Sequence, residues 1–264
     1  MKLQRKNLLR ATALGALAVS GALVLTACGS DDNSGGTTGG NGGKTSAASN
    51  IKCDDAKGQL PASGSSAQKN AMDLWAKNYM AGCSGVEINY KSSSSGEGIV
   101  AFNQGTVGFA GSDSALKPEE VADSKKICKG GQGINLPMVG GPIAIGFHLE
   151  GVDSLTLDAP TLAKIFDGKI KKWNDPAIAK LNSGAKLPDK AIQAFHRSED
   201  SGTTQNLGKY LGAAAPSDWK YEAEKKWPAP GGQAASGSSG IASQVKAVDG
   251  SIGYFELSLS LIHI

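Results

Sequence analysis

From Gln59 onward the sequence alternates between the two-residue rhythm of a strand and the three-to-four-residue rhythm of a helix, and this alternation restricts the fold more than any other feature. Gln59-Leu60-Pro61-Ala62 is a short strand candidate. Over residues 68–80, Met72, Trp75 and Tyr79 recur on one face, filled in by Ala71, Leu74 and Ala76, which predicts an amphipathic helix. Val86-Glu87-Ile88-Asn89-Tyr90 alternates as a strand does, and a helix over 98–104 and a strand over 106–110 follow. Such an order with short loops implies an α/β fold: mixed, mainly parallel sheets flanked by helices, with loops at the carboxyl ends of strands where ligands bind. A second compact region is expected from the apolar run over 134–147, then residues 155–166, Trp173 and residues 178–181. Asp158-Ala159-Pro160 reads as a helix start with Asp158 as its cap. No internal repeat has a solenoid period.

The first 50 residues are of another kind. Lys2, Arg5, Lys6 and Arg10 precede an apolar stretch over 11–27, the pattern of a signal peptide. Leu25-Thr26-Ala27-Cys28 resembles a bacterial lipobox, in which Cys28 is diacylated and residues 1–27 are removed. A transmembrane anchor is the weaker reading, because a span needs about 20 apolar residues and this run is shorter and rich in Ala and Gly. Residues 28–50 then read as a lipid-anchored flexible linker of Gly, Ser, Thr, Asn and Asp. Within it, Thr38-Gly39-Gly40-Asn41-Gly42-Gly43-Lys44-Thr45 misses the first glycine of a nucleotide-binding loop and follows no apolar strand.

With Cys28 taken by lipid, Cys53, Cys83 and Cys128 remain, in a compartment where disulfides persist. One bridge and one free thiol are expected. Cys83 and Cys128 each follow a helical segment, which favours that pair. No C-x-x-C or neighbouring His completes a metal site, so neither metal nor cofactor is expected. A formal net charge of +3, with no basic stripe beyond the first ten residues, argues against nucleic acid.

Four loops share one chemistry: Gly64-Ser65-Ser66, Ser95-Gly96-Glu97-Gly98, Ser112-Asp113-Ser114 and Ser201-Gly202-Thr203-Thr204. Each offers hydroxyls and backbone amides, and three precede helices, whose first amides are unpaired and carry partial positive charge. For any one loop, ordinary helix capping explains the serine. Four such loops on the same side of a sheet instead predict an oxyanion site. Arg197 adds a planar fork of donors, with a surface ion pair to Glu199 or Asp200 as the competing explanation. Asp113 is the unusual member, since a carboxylate repels an anion unless that anion still carries a proton to donate. Phosphate near neutral pH keeps such a proton and sulfate does not, so Asp113 is expected to favour the first and exclude the second.

The chain resembles the phosphate-binding proteins of the PstS type, a branch of the type II periplasmic binding protein fold, from about Gln59 to Glu256. The resemblance is carried by Ser95-Gly96-Glu97-Gly98-Ile99, Gly108-Phe109-Ala110-Gly111-Ser112-Asp113, Ile170-Lys171-Lys172-Trp173-Asn174-Asp175, Arg197-Ser198-Glu199-Asp200-Ser201-Gly202-Thr203, Lys226-Trp227-Pro228 and Gly250-Ser251-Ile252-Gly253-Tyr254. It implies two lobes with phosphate in the cleft between them, closing about a hinge, and delivery to the membrane permease subunits of an ABC transporter. By position it makes Ser66, the Ala67 amide, Ser95, Asp113, Arg197, Ser201, Gly202 and Thr203 the phosphate ligands, with Glu199 orienting Arg197. The family often has Thr and a bulky aromatic where this chain has Ser66 and Ala67, and Asp where it has Glu199.

The expected organisation is therefore a first lobe over 51–140 and a second over 141–257, in a monomer lipid-anchored to the extracytoplasmic face of the cell membrane. Residues 258–264 depart from the family pattern and read as a non-native tail, leaving the first lobe incomplete. Another oxyanion such as sulfate or molybdate is the alternative ligand. A secreted phosphatase or hydrolase using Ser201 with His196 is the alternative class, weakened by the lack of a G-x-S-x-G elbow and of any triad spacing among His148, His196 and His263.

Overall fold

The computed structural model describes residues 51–261, so the leader, Cys28, the linker and residues 262–264 lie outside the described residues. The first sheet is built from Gly58–Ser65 (β1), Val86–Ser93 (β2) and Phe109–Gly111 (β3), in the order β2-β1-β3. All its pairings are parallel. A parallel neighbour needs a crossover long enough for a helix, and Lys69–Gly82 (α1) and Ser95–Asn103 (α2) supply the two crossovers. Pro118–Ser124 forms α3.

The second sheet comprises Ile143–His148 (β4), Gln193–Arg197 (β5), Gln233–Ala235 (β6) and Ser251–Glu256 (β7), in the order β4-β7-β5-β6. Only β4 runs antiparallel to its neighbour β7. Its helices are Ala159–Phe166 (α4), Pro176–Leu181 (α5), Gly202–Ala214 (α6) and Gly237–Ala247 (α7), and a short helix, Ser258–Leu261 (α8), closes the described chain. The helix start predicted at Asp158 is present: its carboxylate accepts from the Thr161 amide at 2.8 Å, and Pro160 occupies the first turn, where its missing N–H costs nothing.

The tightest packing surrounds the second sheet. Phe166, Trp173, Ile178, Leu211, Ile252 and Tyr254 form one buried cluster, and Phe195, Ile241, Val245 and Phe255 form another between α7 and the sheet. Trp173 is buried together with its polar edge because Nε1 donates to the Gly250 carbonyl at 2.9 Å.

Two expectations are corrected here. The apolar run over 134–147 becomes a strand only from Ile143, and Ile134 and Leu136 are 71% and 68% exposed. With α1, none of whose residues is fully buried, that segment walls an apolar cavity of about 1490 Å³. The disulfide joins Cys53 to Cys83, not Cys83 to Cys128, and Cys128 is a free thiol. Strand pairing is the cause: Gly58 lies opposite Val86, which brings the residues just before β1 and β2 together and sets the two cysteines 5.4 Å apart between Cα atoms. Helix ends gave no information about this adjacency.

Candidate oxyanion site

Because β1, β2 and β3 are parallel, their carboxyl ends lie on one edge and release three serine loops there. After β1, Ser65 caps a short 3-10 turn over Ser66–Gln68 by accepting from the Ala67 amide at 3.1 Å. After β2, Ser94 caps α2 by accepting from Glu97, which leaves Ser95 in the first turn, almost fully buried. After β3, Asp113 lies two residues past the last strand residue, Gly111, and its amide donates to Ser95 Oγ at 3.2 Å. The loops can crowd this closely because Gly64, at φ +149°, has no Cβ; one added there would lie 2.1 Å from the Gly111 carbonyl oxygen.

From the other sheet, β5 ends at Arg197 and the chain enters α6 through its cap, Ser201, whose Oγ accepts from the Thr204 amide at 3.2 Å. The start of α6 meets the first sheet's loops face on. Thr203 Oγ1 donates to Asp113 Oδ2 at 2.9 Å, Asn206 Nδ2 donates to the Asp113 carbonyl at 2.8 Å, and the Gly96 amide donates to the Asp200 carbonyl at 2.9 Å. A Cβ on Gly202 would lie 2.6 Å from Ser95 Oγ and 2.8 Å from Asp113 Cβ, so the absence of a side chain lets the helix approach.

Arg197 is almost completely buried, and its fork is fixed on one side. Nε donates to Glu199 Oε1 at 2.7 Å, Nη2 donates to the same oxygen, and Nη1 donates to Ser238 Oγ at 3.2 Å. Glu199 also accepts from the Gly237 amide at 2.9 Å and from Ser198 Oγ at 2.8 Å. Burial by itself would push the Glu199 carboxyl up, but the hydrogen bonds and charge of Arg197, helped by Gly237 and Ser198, outweigh it and hold the group below the usual range. Beneath Arg197, the Tyr254 hydroxyl accepts from the Arg197 amide at 3.1 Å and pairs with Thr204 Oγ1 at 2.5 Å. Burial pushes Tyr254 up to about 12, so it stays a neutral hydroxyl.

Hydrogen bonds and close approaches thus gather Ser66, Ser95, Asp113, Arg197, Ser201, Gly202 and Thr203 into one cleft. The Ala67 amide differs from expectation, since its one proton goes to Ser65. Sequence reasoning missed Ser238, Asn206 and Tyr254. Ser238 had a usable signal: Ser236-Gly237-Ser238-Ser239-Gly240 has the composition of the other four loops and precedes a helix. Hydroxyls and amides dominate the cleft, and its one guanidinium is already paired with Glu199. His196 faces away from this set, stacked on Trp227 with ring centroids 4.9 Å apart and Nδ1 3.0 Å from the Arg197 carbonyl. Among the described residues Ser201 has no His partner, and its hydroxyl serves as the cap of α6.

The chain matches known proteins in sequence and in fold. The model of the PBP superfamily domain matches residues 41–263. The phosphate-binding protein PstS 3 of Mycobacterium tuberculosis (strain ATCC 25618 / H37Rv) is 43% identical over 260 residues, covering 98% of this chain and 68% of that protein. A high-affinity periplasmic phosphate-binding protein (PfluDING), solved bound with phosphate, matches with a TM-score of 0.64 and 25% identity over 77% of this chain and 57% of that one. The fold is also that of a putative phosphate ABC transporter substrate-binding protein from Clostridium perfringens, with a TM-score of 0.58 and 22% identity over 76% of this chain and 71% of that one. The chain belongs to the PBP superfamily and, within it, to the PstS phosphate-binding proteins.

Proposed function

We propose that this protein binds inorganic phosphate outside the cytoplasm and hands it, chemically unchanged, to the permease of an ABC transporter. The observation that carries this reading is the setting of Asp113. Its carboxylate accepts from the Thr203 hydroxyl, its amide donates to Ser95 Oγ, and the guanidinium of the cleft, Arg197, is bonded to Glu199. A ligand here gains most if it accepts hydrogen bonds on several oxygens and donates one to Asp113, which a protonated phosphate does. Ser95, Ser201, the Gly202 amide, Thr203 and the free edge of the Arg197 fork are the donors, with Glu199 holding that fork and Ser66, whose hydroxyl proton goes to Ser238, beside them. The Ala67 amide joins them only by giving up Ser65.

On this reading residues 51–140 and 141–257 form the two lobes, and lipid on Cys28 anchors a monomer to the outer face of the membrane. A calorimetric titration of the full chain with phosphate, run with and without excess sulfate, tests the proposal. Tight phosphate binding undisturbed by sulfate is expected. No binding by a folded sample, or displacement by sulfate, overturns it.

A further inference from the structure

We infer that Ser238, in the first turn of α7, is an additional contact to the bound phosphate, one that joins Arg197 and Ser66 across the cleft; the inference rests on the phosphate reading above. Ser238 is completely buried, and it is not the cap of its helix, which is Ser236. Its backbone amide donates to Ser66 Oγ at 3.0 Å, a contact spanning 172 positions of sequence. Its hydroxyl oxygen accepts from Arg197 Nη1 at 3.2 Å and lies 3.4 Å from Ser66 Oγ, which is placed to donate to it. A hydroxyl has two lone pairs and one proton. With Arg197 on one lone pair and Ser66 on the other, the Ser238 proton has no acceptor left on these partners.

That proton lies between two residues of the site. A phosphate oxygen bound by the free edge of the Arg197 fork supplies the missing acceptor while Ser66 keeps its proton on Ser238, and donation from the guanidinium polarises the Ser238 hydroxyl into a better donor. The neighbouring Gly237 amide holds Glu199, so the first turn of α7 serves the same cluster twice, through Gly237 and through Ser238. Gly237 itself sits at φ +70°, a conformation that strains any residue with a Cβ, although a Cβ there would meet Ser66 only at an ordinary 3.8 Å.

The test compares phosphate titrations of the full chain with those of Ser238→Ala, Ser238→Cys and Ser239→Ala. Cysteine keeps the shape of the side chain at a slightly larger volume and is a weak donor, and Ser239 is an exposed neighbour on the same turn. If the unsubstituted chain does not bind phosphate, the phosphate reading itself fails. If it binds, Ser238→Ala and Ser238→Cys are expected to weaken binding at least about tenfold, as loss of a hydrogen bond to a charged group does, with Ser239→Ala unchanged. Melting temperatures without phosphate should match; where the alanine variant unfolds, the cysteine variant carries the test. Phosphate binding by Ser238→Cys within about twofold of the unsubstituted chain overturns the inference, because the hydroxyl proton would then not contribute. So does a phosphate complex in which Ser238 Oγ lies beyond about 3.5 Å of every phosphate oxygen.

Discussion

Asp113 is fixed at three points, its amide on Ser95, its carbonyl on Asn206 and its carboxylate on Thr203, so it cannot swing away from an unsuitable ligand. Replacing it with Asn exchanges an obligatory acceptor for a group that also donates. Asp113→Asn is therefore expected to reduce the preference for phosphate over sulfate by about tenfold or more, read by competition titration. Glu199 gives a pH prediction. Its folded-state value is depressed, so the stabilisation from its pairing with Arg197 is complete above the ordinary value of 4.5 and is lost as pH falls through the lower folded value. Acid unfolding curves should show this loss below about pH 4.5, and Glu199→Gln should abolish that part of the curve. Arg197, Asp113 and the serines were legible because charge and hydroxyl content are written in the residues themselves. Ser238 carried the composition signal but not the strand before it: Gln233-Ala234-Ala235 is too short and too bland to mark the loop as a strand end.

The elements teach a different lesson, since pairing brings together what lies apart in the sequence. The Cys53–Cys83 bridge staples the entry of β1 to the end of α1 across 30 positions. Replacing both cysteines with serine is expected to cost about 2–4 kcal/mol in denaturant unfolding, and Cys128→Ser to change little. Strand and helix periodicity located β1, α1 and β2 to within a few residues, and the Asp158 cap located the start of α4. It could not order the strands within a sheet, and the disulfide follows from that order. At the start of α6, Gly202→Ala should weaken phosphate binding by about one to two orders of magnitude, the cost of forcing a methyl into a packed contact, because the new carbon meets Ser95 and Asp113 across the cleft. Phosphate titration measures that loss.

At the scale of the molecule, two ion pairs of opposite polarity tie α3 to the segment before Trp227: Lys117 with Glu224 at 2.6 Å and Glu120 with Lys225 at 2.7 Å. They are unequal. The first has side chains 33% and 47% exposed, and such pairs contribute little; in the second, Lys225 is only 7% exposed. The Lys225 carbonyl also accepts from the amide of Ser201, at 2.9 Å, next to the phosphate donors. Lys225→Met leaves Glu120 without its partner and is expected to speed phosphate release several-fold, whereas Lys117→Met should be close to neutral; stopped-flow dissociation separates the two. The meeting of Ser66 with Ser238 has a consequence for how the molecule is made. These residues come together only after nearly all of the described chain has left the ribosome, so phosphate cannot steady a nascent or prematurely ended copy. Its stabilisation falls on the finished product alone, which leaves every unfinished copy to face proteases without that protection.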